Sequence, residues 1–509
     1  MSMTCLRHLL LLAAVLGCFS VRAKAKSAQK AVRAPIAVMK AVVACPAADR
    51  GYSESLATRV ERWLRDGGVK ADAVDDRALD AALAGRRLVY LVVCQKPTPG
   101  QLEALGRYRA RGGKVAVLQS YSPALASFMG VPPVTRASAG RAVSMAVPAG
   151  WWVPNVFASD DADEAKARLL LGMAGAAVPG PWSAAAWEAK RTARLVAERK
   201  YGRAQAPRPG EIHAVWDHTG TGLHPGDWPR TMRELKAYGV TDLFVNVAGA
   251  GFAHYASGVL PVSQTYLDRG DQLAAAVSAG HAAGVRVHAW MLCFSASRAA
   301  PVWRNSLAKR GWRLKNRAGA LTDYLDPSRA DLRWYLMKAI DEIARKYSVD
   351  GVHLDFVRWY EGAAKPANAA ATVTSFVAGA RAKVRAARPR AWLTAAVLPG
   401  HPSCVASVGQ DWKGWIDAGL VDYVAPMNYV EDPAKYAALV ARQGDTKTHA
   451  RHLLSGLGVT ANESRLTPVQ VVDQVNAARR AGFAGVALFQ LDANLTARVL
   501  PVLRLGLFR

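Results

Sequence analysis

Cysteine is scarce in this chain of 509 residues: there are six, and Cys5 and Cys18 fall within the first eighteen positions. The other four, Cys45, Cys94, Cys293 and Cys404, stand far apart. There is no C-x-x-C pair and no Cys/His cluster, which argues against a zinc site. They fall near the ends of predicted strands and read as buried free thiols rather than as a disulfide framework. An H-E-x-x-H helix and a phosphate-cradling glycine loop are also missing, so no metal and no cofactor is expected. Carboxylates are the other shortage, with 39 Asp and Glu against 66 Lys and Arg and a net charge of +27. Beyond the first twenty residues no run is long and apolar enough to span a bilayer. Membrane attachment, if there is any, must therefore come from the N-terminus.

That terminus reads "MSMTCLRHLLLLAAVLGCFSVRAKAKSAQ". Arg7 supplies a charged start and Leu9 to Leu16 a short apolar run, which is the pattern of a secretory signal over residues 1–25. Two processing sites compete. "VLGC" at Val15 to Cys18 resembles a lipoprotein box with Cys18 lipidated, and "AKA" at Ala23 to Ala25 suits ordinary signal peptidase. Either way the chain is expected to be exported, to a periplasmic, cell-envelope or extracellular location. Removing Arg7, Arg22 and Lys24 with the leader lowers the charge only by three. For an exported protein this points away from nucleic acid and toward an anionic envelope polymer. A generally basic surface without a specific ligand would give the same number.

Hydrophobic residues make up 51% and charged residues 21%, which is ordinary for a globular chain, and the length calls for two or three domains. Over residues 36–180 apolar strands alternate with amphipathic helices. "IAVMKAVVACPA", "VKADAVDD", "RRLVYLVVC" and "KVAVLQS" are the strands; "SESLATRVERWLRDGG" and "TPGQLEALGRYRARGG" are the helices, the latter with a Thr cap and a Gly stop. The alternation predicts a smaller, doubly wound α/β domain with a parallel sheet. Its arrangement resembles the flavodoxin-like, glutamine-amidotransferase-like domain. Cys94 ends a strand, where a nucleophile would sit in such a fold. However, "QKPTPG" follows it instead of a tight elbow, and no His/Glu pair comes downstream, so an accessory role is expected. "GWWVPN" reads as an aromatic loop. Residues 181–210 read as a helix and a Pro/Gly/Arg linker.

From residue 211 to 509, eight strand-like runs recur at βα spacing: 212–217, 242–249, 286–292, 351–357, 391–399, 422–429, 452–459 and 485–492. Helical patterns lie between them. "DWPRTMRELKAYG" opens on an Asp cap with Pro near its first turn and stops at Gly. Eight such units predict a (β/α)8 TIM barrel, whose reacting groups gather at the C-terminal strand ends. Those ends supply Trp216, Asn246, His288, Trp290, His353, Asp355, Arg358, Asn428, Tyr429, Gln490 and Asp492. The set is aromatic and amide-rich and suits a polyhydroxylated ligand, with Trp216 and Trp290 stacking on sugar faces.

Within "DGVHLDFVRW" the period of two places His353 and Asp355 on one face of the strand and Val352 and Leu354 on the other. Glycosidic cleavage usually needs two carboxyl groups. Asp355 is the first candidate, with an ion pair to Arg358 as its purely structural reading. Asp492 and Glu431 are the candidate partners. Asp411 is counted among the binding residues, although "DWKGWIDAG" also makes it a helix N-cap. His353 reads equally as a ligand to a hydroxyl and as a satisfied interior histidine. The insertion after the third barrel strand carries Arg298, Arg304, Lys309, Arg310, Arg313, Lys315 and Arg317, a clamp for an acidic glycan or simply a solvated basic loop.

"HAVWD", "DWPRTMRELKAYGVTDLFVNV", "AHYASGVLP", "YLDPSRADLRWYLMKAIDEIARKYSVDGVHLDFVRW" and "QDWKGWIDAGLVDYVAPMNY" follow in the order of the bacterial glycosyl hydrolase-like 10 family. The resemblance covers residues 211 to 498. It implies a TIM barrel, export, and hydrolysis of glycosidic bonds in a polysaccharide, with peptidoglycan glycan strands as one such polymer. The family often carries two adjacent aspartates on the fourth strand. Asp355 matches the first, and Phe356 stands in place of the second.

Overall fold

The computed structural model describes residues 34–134, 145–154, 163–178, 180 and 183–509. The leader, and Cys18 with it, lies outside them. The described residues form two compact units, one holding the N-terminal part with Lys166–Trp187 and the other holding Glu188–Arg509. The division falls inside the helix Ala184–Arg203, so most of the segment read as a linking helix goes with the second unit.

The first unit is built on six strands: β1 Ile36–Lys40, β2 Ala71–Asp75, β3 Leu88–Val92, β4 Lys114–Leu118, β5 Met145–Val147 and β6 Gly150–Val153. They lie in the order β2-β1-β3-β4-β6-β5, parallel except for the β5–β6 pair. Alternate residues of the central strands feed two apolar clusters. Ile36, Val38 and Tyr90 pack with Leu56, Val60 and Leu170; Ala37, Met39 and Leu91 pack with Leu83, Leu105 and Leu125. Burial of both faces explains why these strands read as unbroken apolar runs. Thr98 caps the helix Pro99–Ala110 in a reciprocal box: Gln101 N–H donates to Thr98 Oγ1 at 3.3 Å and Thr98 N–H to Gln101 Oε1 at 2.9 Å. "GWWVPN" corrects the sequence reading. Trp151 and Trp152 belong to β6, paired with β4, and are not in a loop.

In the second unit the parallel strands are β7 Ile212–Asp217, β8 Asp242–Gly249, β10 Arg286–Leu292, β13 Gly351–Asp355, β14 Trp392–Val397, β15 Tyr423–Pro426, β16 Leu454–Gly458 and β17 Gly485–Phe489. A two-residue strand, β9 Phe252–Ala253, runs back along β8. The hairpin of β11 Arg313–Lys315 and β12 Leu321–Leu325 lies in the insertion after β10. The eight strands follow one another around a ring. Val424 N–H to His452 O and Asn428 N–H to Gly456 O, both 2.9 Å, close it between β15 and β16. This is an eight-stranded parallel barrel of the TIM type.

Several helices between the strands begin at a side-chain cap. Arg230 N–H donates to Asp227 Oδ1 at 3.0 Å ahead of Trp228–Ala237, and Thr467 boxes with Gln470 ahead of Pro468–Arg480. Strand alternation sets the two layers of packing. Val352 and Leu354 join the cluster between barrel and helices, whereas Trp216, Phe244 and Trp290 belong to the cluster inside the barrel. Register aligns His288 with Gly351, Trp290 with His353 and Leu292 with Asp355. Gly351 is needed for that first pair, since a Cβ there would lie 2.3 Å from His288 Nδ1.

Candidate active site

At the C-terminal ends of the barrel strands opens a cavity of about 610 Å³. Trp216, Trp290, Asp355, Arg358, Tyr429 and Gln490 line it, six of the residues selected from the sequence. Asp355, the last residue of β13, is only 5% exposed. The chain turns sharply after it, because Phe356 adopts a left-handed conformation (φ 50°), a costly backbone state for an aromatic residue and one that often marks functional sites. The turn brings Phe356 N–H to Asp355 Oδ1 at 2.6 Å, while Trp290 Nε1–H reaches Oδ2 at 3.2 Å. Burial is the strongest influence on this carboxyl and pushes its pKa above the ordinary carboxylate value. The Arg358 charge and the two N–H donors oppose the shift without cancelling it.

Arg358 Nη1 lies 4.0 Å from Asp355 Oδ1, too far for a hydrogen bond. It is buried and has no hydrogen-bond partner among the described residues. Its guanidinium rests on the Phe356 ring, with Cζ 4.3 Å from the centroid. Tyr429 stacks on Phe489 at 5.5 Å. Burial, then the charges of Asp355 and Glu463, hold its hydroxyl well above the usual phenol range, so it stays protonated and able to donate. Gln490 offers a buried Oε1 with no hydrogen-bond partner among the described residues.

The remaining candidates sit elsewhere. His353 is fully buried. Its Nε2 accepts from Trp216 Nε1–H at 2.9 Å and its Nδ1 lies 2.8 Å from Thr394 Oγ1. An indole can only donate, so Nδ1 carries the proton and the ring is neutral; burial lowers its pKa well below the ordinary value. His288, the third residue of a seven-residue strand, bonds Asp242 Oδ1 at 2.9 Å near the strand starts and is sealed from ligand. Asn246 is fully buried below the cavity, and neither polar atom of its side chain has a partner among the described residues.

Asn428 exchanges amide hydrogen bonds with Gln443 at 2.8 and 3.0 Å and donates to Ser455 at 2.9 Å, which leaves it nothing to offer a sugar. Asp411 caps the helix Trp412–Asp417 and accepts from Gly414 N–H at 3.2 Å. Glu431 accepts from Arg465 N–H at 2.7 Å. Asp492 accepts from Leu495 N–H at 2.9 Å, and burial raises its pKa. None of these three carboxylates lines the cavity, because each is spent on holding a loop or helix start.

The cavity also gathers residues that reading the strand ends missed. Glu463, exposed in the loop after β16, faces it together with Asn462 and Thr460. It stands in "VTANESRL", directly after the seventh barrel strand. His218 and Arg298 complete the wall. Arg298 is tied to the carbonyl oxygens of His218 and Thr219. The enclosing protein and the Arg298 charge push the His218 pKa down to about 4, so the ring is neutral.

No protein-family model matches the sequence, and no curated protein matches it either. Among solved structures the chain is similar to alpha-L-fucosidase isoenzyme 2 from Paenibacillus thiaminolyticus, at 12% identity and TM-score 0.40, over 58% of this chain and 49% of that one. It is also similar to the catalytic domain of beta-amylase from Paenibacillus polymyxa, at 10% identity and TM-score 0.42, over 59% and 98%. A third is a family GH18 chitinase from Cycas revoluta, at 12% identity and TM-score 0.39, over 58% and 98%. The chain thus spans about half the length of the fucosidase.

Proposed function

We propose that this protein is an exported glycoside hydrolase of the glycosyl hydrolase-like 10 kind, cleaving glycosidic bonds in a polysaccharide, with peptidoglycan glycan strands the first substrate to try. The observation that carries the reading is Asp355: a buried carboxyl with a raised pKa on the wall of an aromatic cavity at the mouth of a barrel. A carboxyl whose pKa is raised holds its proton to higher pH than an ordinary one and can protonate a leaving glycosidic oxygen. Glu463 faces the same cavity and replaces Asp492 and Glu431 as the second carboxyl, to act on water or on the anomeric carbon. Trp216 and Trp290 supply flat apolar walls, and Tyr429, Gln490 and Arg358 supply hydroxyl partners.

The leader over residues 1–25 would export the chain, with Cys18 as its lipid anchor if the first processing site is used. The N-terminal unit, whose strand order begins 2-1-3-4, is read as a flavodoxin-like accessory domain. Cys94 is buried in it, its thiol pKa pushed far up by that burial, and its N–H is bonded to Ser120 Oγ, so it is not a nucleophile. The test is reducing-end release from peptide-free glycan strands. Wild type should release ends, and Asp355→Asn and Glu463→Gln should each fall by about 100-fold or more. Binding of the strands without turnover by wild type would instead make this a silent carbohydrate-binding protein.

A further inference from the structure

We infer that the barrel cavity takes a sugar bearing a carboxylate beside the bond to be cut, and that Arg358 is the residue that recognises it. The inference rests on the hydrolase reading above and names its substrate class. Arg358 presents a planar fork of N–H groups, with its Cζ 4.3 Å from the centre of the Phe356 ring. Its buried Nη1 has no hydrogen-bond acceptor among the described residues, and its ion-pair partner Asp355 Oδ1 stands 4.0 Å away. A buried cationic donor left open is a costly feature unless a ligand fills it.

The charged residues lining the cavity are two of each sign. Arg358 and Arg298 stand against Asp355 and Glu463. Arg298 is bonded to two carbonyl oxygens and has the buried carboxyl of Asp217 near it. When Asp355 is loaded with the proton it is to donate, only Glu463 remains as an anion and the cavity carries an excess positive charge. The hairpin β11–β12 packs against the same turn: its Tyr324 lies 5.9 Å from Phe356 and stacks on Tyr360 at 4.3 Å. A carboxylate is the ligand group that suits this arrangement, since it accepts two parallel N–H bonds from one guanidinium.

The experiment uses peptide-free peptidoglycan glycan strands, whose sugars carry carboxylates, and the same strands with those carboxylates chemically reduced to alcohols. Wild type should lose about 100-fold in kcat/KM on the reduced polymer. Arg358→Gln should lose a similar factor on the native polymer and distinguish the two polymers by less than about threefold, with Arg358→Lys between. Equal rates of wild type on both polymers, or an Arg358→Gln loss of the same factor on both, would overturn the assignment. If wild type cleaves neither polymer the hydrolase reading fails, and direct binding then decides this one. Native strands held at least tenfold tighter than reduced strands, with the preference gone in Arg358→Gln, would support it. Equal binding of both, or binding of neither, would sink it.

Discussion

The role proposed for Asp355 depends on what surrounds it, and its surroundings set its pH behaviour. Burial raises its folded pKa above the ordinary 3.8. As a proton donor it is active while protonated, so kcat/KM should fall on the alkaline side at a pH above the usual carboxylate range. Trp290→Phe removes the indole donor from Oδ2, which stabilises the ionised form. That limb should therefore move to still higher pH, with kcat within about tenfold of wild type; a pH–rate profile of both proteins checks it. The same shift enters stability with a definite sign. A carboxyl whose folded pKa is raised stabilises the fold fully below 3.8 and loses that contribution as pH rises through the folded value. Asp355→Asn should therefore raise Tm at pH 7 but not at pH 3, even while it abolishes turnover. The alternation of "VHLD" exposed Asp355 in the sequence. Glu463 stayed hidden because an exposed loop carboxylate has no periodicity to betray it, and only the barrel's curvature brings it to the cavity.

Among the elements, β13 and its neighbours show why a polar residue on an inward face need not reach the ligand. Side chains from His288, His353 and Asp355 point into the barrel in successive layers, and only the last reaches the cavity. Counting two residues at a time gives the face, but depth along the strand depends on where it ends. The sequence readings of 351–357 and 422–429 ran past the observed ends at Asp355 and Pro426. The lower layer is structural. Asp242 accepts from Arg286 at 2.7 Å twice and from His288 at 2.9 Å. Those partners outweigh burial and lower its pKa to about 2. Its contribution is present above the unfolded value of 3.8 and lost as pH falls through about 2. Asp242→Asn should cost about 3–5 kcal/mol at pH 7, with the deficit shrinking toward pH 2 in urea titrations. Gly351→Ala would drive a methyl into His288 and should cost about 1–3 kcal/mol, read from the denaturation midpoint.

Across the whole molecule, two units with their own apolar cores follow from one sequence rule, the alternation of strand and helix, which was legible because several helices start at a side-chain cap. Asp227, Thr98 and Thr467 all cap where the sequence placed a helix start. Less legible was the use of aromatic residues. Trp151 and Trp152 sit in a strand that joins the sheet through β4, far upstream in the chain, and no local pattern reveals that pairing. The buried thiol of the first unit leads to a prediction at this scale: Cys94→Ser should leave reducing-end release within about twofold of wild type, because the unit lends no group to the chemistry proposed for the barrel. That chemistry is tested most directly by comparing Asp355→Asn with wild type on two substrates sharing one sugar, a natural glycan linkage and a nitrophenyl glycoside. The nitrophenol departs without being protonated. The variant should lose about 100- to 10,000-fold in kcat/KM on the glycan and less than about tenfold on the nitrophenyl glycoside. Losses of equal size on both, or none on the glycan, would contradict Asp355 as the proton donor.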